Sequence, residues 1–382
     1  MTPCHVCYSS QIKRVPAPAR VAHLVSSDAK PVDGRVAWAV CRQCSTIQKV
    51  VDDDWRLLAD RIYADYDINH QAGGEEPRLF NTPIGNGPRT QILMKVLLRW
   101  FDLPPTGKLL DIGCANGNLL KSAHAVRPGW ELFGSDISDR CKSEVLGLPG
   151  VRDFYVGRKI EYPSRYNLIT MSHVLEHVED PSAFLRPLSQ YLQPAGRLVV
   201  LVPAVRSNPI DLLIADHCSH LDENSLCRIV TTAGFEIEQL SAEAIPKELV
   251  AVCRVARPSV EQRPDVVFDL APEALCRNHF RLIEGVLDAA MDAAGAAANF
   301  GVMGSSIAAA WLAAELGDRV RFFVDEDESR IGRRLLGRPI VALAKIPPQA
   351  TVFIPMSAPV AQSIIARAGG LPVQFRYVDW NR

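Results

Sequence analysis

The chain has no surplus of charge: 42 Lys and Arg stand against 43 Asp and Glu in 382 residues. Without a basic field, neither nucleic acid nor an anionic membrane surface is the expected partner, and a small molecule is. A plain membrane-spanning run is missing too. The longest uncharged stretch, residues 293–314, is mostly alanine but includes Asn299, Ser305, Ser306 and glycines, so it reads as strand, turn and helix. The start carries no basic segment followed by an apolar one, and no secretory signal is expected. Ten cysteines are too few for a disulfide scaffold in so long a chain. Two CxxC pairs suit reduced thiolates and a cytoplasmic setting.

What the sequence does contain falls into four segments, more than one ordinary domain can hold. Residues 1–50 carry Cys4, Cys7, Cys41 and Cys44. Residues 51–95 are acidic, then rich in Tyr, Gly, Asn and Pro, which predicts irregular connecting backbone. Residues 96–257 alternate short β-branched runs with helical stretches, the pattern of a parallel sheet with crossover helices. "RPSVEQRPD" at 257–265 reads as a linker. After it, residues 258–382 hold a long helical stretch and a second, shorter strand–helix alternation. The expected fold class is therefore α/β, with a Rossmann-like core, an N-terminal cysteine domain and a second Rossmann-like domain at the C-terminal end.

"CHVC" and "CRQC" each place two thiolates on a tight turn, and two such turns complete a closed tetrahedral zinc site. Cys4, Cys7, Cys41 and Cys44 are the expected ligands of a structural Zn²⁺. A redox role is less fitting, because these pairs do not sit inside a βαβ unit.

"KLLDIGCANGNLLKSA" at 108–123 reads as apolar strand, glycine turn and amphipathic helix, with Asp111 ending the strand and Gly113 and Gly117 opening the turn. A second strand ends at Asp136, whose carboxylate can accept hydrogen bonds from both hydroxyls of a ribose. A dinucleotide site calls for GxGxxG facing a pyrophosphate. Here the order is DxGxAxG, and an acid at that turn repels phosphate but suits the cationic end of S-adenosylmethionine (SAM).

With "HVLEHVEDP" after the next strand, residues 96–257 resemble a class I SAM-dependent methyltransferase, "LLDIGCANG" and "GSDIS" being its first two motifs. The resemblance implies that Asp111, Gly113, Cys114 and Gly117 surround the methionine end. It puts Asp136 and Ile137 at the ribose and adenine, and His173 and Leu175 on the cofactor's other side. Glu176 and His177 read more simply as a helix-start pair holding the loop.

"ADHCSH" at 215–220 falls near the C-terminal edge of the sheet and has three readings. Asp216, His217, Cys218 and His220 have the atoms of a metal site; they could instead cap the helix starting near Asp222. As catalysis, a histidine beside an acid takes a proton at neutral pH, because the carboxylate fixes its tautomer and stabilises the imidazolium. Methyl transfer from a sulfonium requires an aligned, deprotonated nucleophile, and such a pair answers that need.

The whole layout resembles the three-domain sugar-nucleotide C-methyltransferases. That resemblance implies a zinc-binding N-terminal domain, a C-terminal domain that helps hold a nucleotide sugar, and an active site built from a connector tyrosine and an acid–His pair. Carried onto this chain, these are Asp216 and His217 with His220 nearby, and Tyr63, Tyr66 and His70 from the connector. The acid is Asp rather than Glu, and Leu213 and Ile214 stand where a tyrosine is usual. O- or N-methylation of another small molecule is the alternative, and a zinc-containing SAM-binding scaffold without catalysis is a further one. In the last segment Gly301 and Gly304 open a second turn, Ser305 and Ser306 can cap its helix, Asp325 ends the next strand, and Arg330, Arg333 and Arg334 can reach a diphosphate.

Overall fold

A computed structural model describes residues 2–68, 70–257 and 272–379. From residue 258 on, the expected linker lies outside them. The centre is a seven-stranded sheet whose strands are β1 (Thr106–Ile112), β2 (Gly129–Asp136), β3 (Val151–Val156), β4 (Tyr166–Ser172), β5 (Leu192–Pro203), β6 (Phe235–Ser241) and β7 (Glu248–Val255). Their order is β3-β2-β1-β4-β5-β7-β6; β7 runs antiparallel to both neighbours and the other pairs are parallel. Consecutive residues of β1 and β5 are buried, as strands covered on both faces require. The order reverses between β1 and β4, so a crevice opens at their C-terminal ends.

The cysteine unit forms a four-stranded sheet of Ile12–Val15, Trp38–Cys41, Ile47–Lys49 and Ser219–His220. Its last strand comes from the loop after β5, a pairing that nothing in the local sequence announces. The C-terminal unit is a six-stranded sheet ordered Arg334–Leu335, Arg338–Ala342, Val320–Asp325, Phe300–Met303, Thr351–Ile354 and Gln374–Tyr377. The helix Pro272–Gly295 packs between the two units, with Phe280 set edge-on to Trp38 at 5.2 Å between ring centroids. Val25, Val40, Leu212, Ile283 and Trp311 belong to one continuous core, so the N- and C-terminal units bury their apolar surface against each other.

Two expectations change here. Residues 51–95 are not irregular: they hold the helix Asp53–Ala64, a hairpin of Arg78–Thr82 with Gly85–Pro88, and the start of the helix Arg89–Trp100. Trp55, Leu58 and Ala59 give the first helix a buried stripe, and Asp52 caps it by accepting from the Trp55 amide at 3.0 Å, features that an acidic composition conceals. Ser305 does not cap the helix Ile307–Leu316; its hydroxyl donates to Asp325 Oδ2 at 2.5 Å. The run at 293–314 does break into strand, turn and helix, and no helix among the described residues is long and apolar enough to cross a membrane.

Candidate active site

Two clusters meet at the sheet crevice. The first is the glycine turn. Gly113 has φ +73°, and a Cβ there would meet Val174 Cγ2 at 2.5 Å; Gly117 has φ +78°, and a Cβ would meet Leu148 Cδ1 at 2.6 Å. Only glycine allows the backbone this close to its neighbours in that conformation. Asp111 ends β1 fully buried and accepts from Thr170 Oγ1 at 2.7 Å; burial raises its pKa to about 7. Asp136 ends β2, bracing the turn by accepting from the Ala115 amide at 3.0 Å, with the exposed Ile137 beside it. Asn116 donates to the Gly74 carbonyl at 2.8 Å, so the connector straps the turn.

These residues fit SAM. Small backbone-opening glycines, a buried acid and a second acid at the tip of the next strand form the cradle expected for it. Cys114 is buried beside the turn. His173 bridges Glu176 Oε1 at 3.2 Å and Glu248 Oε1 at 3.3 Å; burial alone would lower its pKa, but Glu248 and Glu176 raise it to about 9. Leu175 is fully buried in the core, so its side chain packs the turn instead of presenting a face to the crevice.

The second cluster is built from the loop after β5. His217 Nδ1 lies 2.7 Å from Asp211 Oδ1, and His220 Nδ1 lies 2.5 Å from Asp211 Oδ2. The acid that serves His217 is therefore Asp211, five residues upstream of the Asp216 that the sequence suggested. Asp216 turns the other way, accepting from the Ser27 amide at 2.9 Å and the Ser27 hydroxyl at 2.5 Å, and stands 3.4 Å from His177 Nδ1. The reason is the strand at Ser219–His220: its pairing with Ile47 and Gln48 draws the loop onto the cysteine sheet and leaves successive side chains on opposite faces.

Electrostatics follow from that arrangement. Burial pushes Asp211 up, but the two imidazoles overcome it and hold the carboxyl far below its usual range. Burial works to lower His217, and the charge and hydrogen bond of Asp211 outweigh it and raise the pKa. His220 is lowered to about 4 by burial and then by Lys49. In the neutral form of His217, with Nδ1–H donated to Asp211, the other nitrogen carries the free lone pair.

His177 joins this cluster. Its ring stands edge-on to that of His217 at 4.6 Å between centroids, and its Nδ1 lies 2.9 Å from Tyr63 Oη. Burial, then Asp216, raises Tyr63 well above its ordinary value, so it is a neutral donor. Tyr66 flanks Tyr63 at 6.3 Å between rings. His70 is not part of the cluster; its Nε2 lies 3.0 Å from the Asp28 carbonyl. A single ligand atom from each of Glu176, His177 and His217 lies within 4.8 Å of the others. Asp222, not the "ADHCSH" residues, caps the helix Glu223–Thr232, through a capping box with Ser225. Sequence reading missed Asp211, Ser27 and the partnership of His177 with Tyr63, which depend on chain crossings between distant segments.

The four cysteines converge as expected. Cys4 Sγ is 3.4 Å from Cys44 Sγ, Cys7 Sγ is 3.5 Å from Cys41 Sγ, and one sulfur from each lies within 4.8 Å of the rest. Four sulfurs at that spacing can surround a single soft tetrahedral cation.

Residues 88–240 match the family model of a methyltransferase domain. The ubiquinone biosynthesis O-methyltransferase of Proteus mirabilis is 34% identical over 99 residues, covering 24% of this chain and 40% of that protein. Its namesake from Aeromonas salmonicida is 26% identical over 162 residues, covering 35% of this chain and 65% of that protein. The chain thus spans less than two thirds of the length of either of these relatives. Among solved structures, the SAH-bound CalO1 methyltransferase of calicheamicin biosynthesis aligns at 20% identity and a TM-score of 0.36 over 42% of this chain and 52% of that one.

Proposed function

Taking as its premise that the central sheet is a class I SAM-dependent methyltransferase domain, we propose that the chain methylates a nucleotide-linked sugar or a related polar small molecule on carbon. SAM, when bound, supplies a methyl group already activated on a sulfonium. The protein's own task is to align the acceptor and remove a proton. His217 takes that proton on the nitrogen not bonded to Asp211, and the buried carboxylate stabilises the imidazolium formed. Tyr63 and His177 orient the acceptor's oxygen. Asp111, Gly113, Cys114, Gly117, Asp136, Ile137 and His173 hold the cofactor.

The observation that carries this reading is the buried Asp211–His217 pair standing beside His177 and Tyr63 at the crevice edge. A nucleotide-linked acceptor is supported by the C-terminal unit. Arg330 is buried there with Nη2 lacking a hydrogen-bond partner, and its Nη1 donates to Ser305 at 3.1 Å. The Arg333 guanidinium lies against Gly73, next to the residue that straps the cofactor turn. Zn²⁺ on Cys4, Cys7, Cys41 and Cys44 has a structural part in this proposal, and reduced thiolates suit the cytoplasm.

A second reading, O-methylation of a small molecule, is favoured by the names of the relatives. The test is methyl transfer from radiolabelled SAM to a panel of keto-sugar nucleotides and of phenols, with the product's carbon spectrum read for C–CH₃ or O–CH₃. Transfer to nucleotide sugars at carbon is expected; transfer to phenols alone selects the second reading.

A further inference from the structure

Lys49 is unusual for its position. It lies on the strand Ile47–Lys49 of the cysteine sheet, wholly buried, where packing would be served by an apolar residue. Its ammonium donates to the Ile214 carbonyl at 2.5 Å and to the His217 carbonyl at 3.1 Å, the two that flank Ala215 and Asp216. Its backbone amide donates to the Cys218 carbonyl at 2.9 Å. Two indoles continue the pattern, one from the cysteine sheet and one from the connector helix: Trp38 Nε1 donates to Leu212 O at 3.1 Å and Trp55 Nε1 to Ala215 O at 3.0 Å. The loop that carries the histidines is thus hung by its carbonyls from the cysteine sheet and the connector helix beside it.

The charge matters as well as the donors. Asp211 and Asp216 are buried carboxylates in that loop, and the ammonium faces both, together with Cys218, His217 and His220 of the loop and Cys276 of the helix Pro272–Gly295. The face of the Trp38 ring lies 5.7 Å below it. Burying a lysine is costly unless it is hydrogen-bonded and its charge compensated; here two loop carbonyls take its hydrogen bonds and the Asp211 and Asp216 charges act on it from beyond ion-pair contact. Burial lowers its pKa to about 8 against the pull of Asp211 and Asp216.

We infer that Lys49 is a positioning residue of the methyl-transfer site, by which the cysteine unit fixes where the His217 ring stands. This rests on the reading of His217 as the base, but its test does not need the acceptor. The full chain is labelled with ¹⁵N-histidine and prepared as wild type, Lys49→Met and Lys49→Arg, with S-adenosylhomocysteine (SAH) as the binding probe. In Lys49→Met, SAH affinity is expected to be unchanged. Exchange of the hydrogen-bonded amides of Ile214, Ala215 and Cys218 should be faster by roughly tenfold, while amides of β1 and β4 keep their protection. The His220 ring should titrate higher once the neighbouring charge is gone. Equal exchange in the loop, or acceleration spread evenly over β1 and β4, overturns the inference.

If Lys49→Met does not fold, Lys49→Arg still decides: a planar guanidinium cannot place its donors where the ammonium does, so the same three loop amides should exchange faster while β1 and β4 keep their protection. Equal exchange in Lys49→Arg overturns the inference. Loss of SAH binding by wild type would sink the cofactor reading and leave the Lys49 result standing.

Discussion

Asp211→Ala removes a carboxylate that accepts from two histidines at 2.7 and 2.5 Å. All three residues are almost wholly buried, so no water can replace the lost acceptor cheaply. Each buried donor left unpaired costs about 1–3 kcal/mol. Removing one partner of a buried ion pair costs about 3–5 kcal/mol. Near pH 6 the variant should therefore be less stable by about 4 kcal/mol.

The pH dependence gives the sharper reading. Asp211 has a depressed pKa in the folded chain, so its contribution is complete above its unfolded value of about 3.9 and fades as pH falls toward the folded one. His217 has a raised pKa, so its contribution is complete below its unfolded value of about 6.5 and is lost as pH rises through the folded one. The pair should stabilise fully between about pH 4 and 6.5. Urea unfolding from pH 4 to 9 can be followed by tryptophan fluorescence, since Trp38 and Trp55 are bonded to this loop. A loss under about 1 kcal/mol at pH 6, or an unaltered decline above pH 6.5, would refute the argument.

Three further outcomes are expected. With Asp111 raised to about 7, SAM should bind more tightly as pH rises toward 7 and release a proton on binding; calorimetry in two buffers of different ionisation heat measures this, and Asp111→Asn should abolish the proton release. Chelation or Cys44→Ser should remove about one zinc per chain by elemental analysis and cost several kcal/mol of stability, roughly; a metal-free native protein of equal stability would exclude the site. Tyr63→Phe deletes the 2.9 Å contact to His177, so turnover should fall by about tenfold or more while SAH affinity holds; unchanged turnover removes Tyr63 from the acceptor side.

Local chemistry made the glycine turn and its flanking acids legible. The acid and glycines of residues 111–117 and Asp136 act where their own strands end, so spacing alone placed them together. The four cysteines were legible for the same reason, since each CxxC builds its own turn. The helix Asp53–Ala64 was hidden because acidic composition outweighed a buried stripe of three residues. The loop after β5 was harder: the acid nearest the "ADHCSH" histidines in sequence proved to face Ser27, and His177 proved to stand against His217.

The sequence by itself determined the strand-ending acids, the glycine bend and the thiolate pairs, because each depends on backbone geometry within a few residues. Only the tertiary structure decided which carboxylate serves His217 and that Lys49 of the cysteine sheet holds its loop. Those choices follow from the pairing of Ser219–His220 with a strand some 170 residues earlier, and a side chain's partner across such a distance is set by packing and burial, which no local pattern encodes.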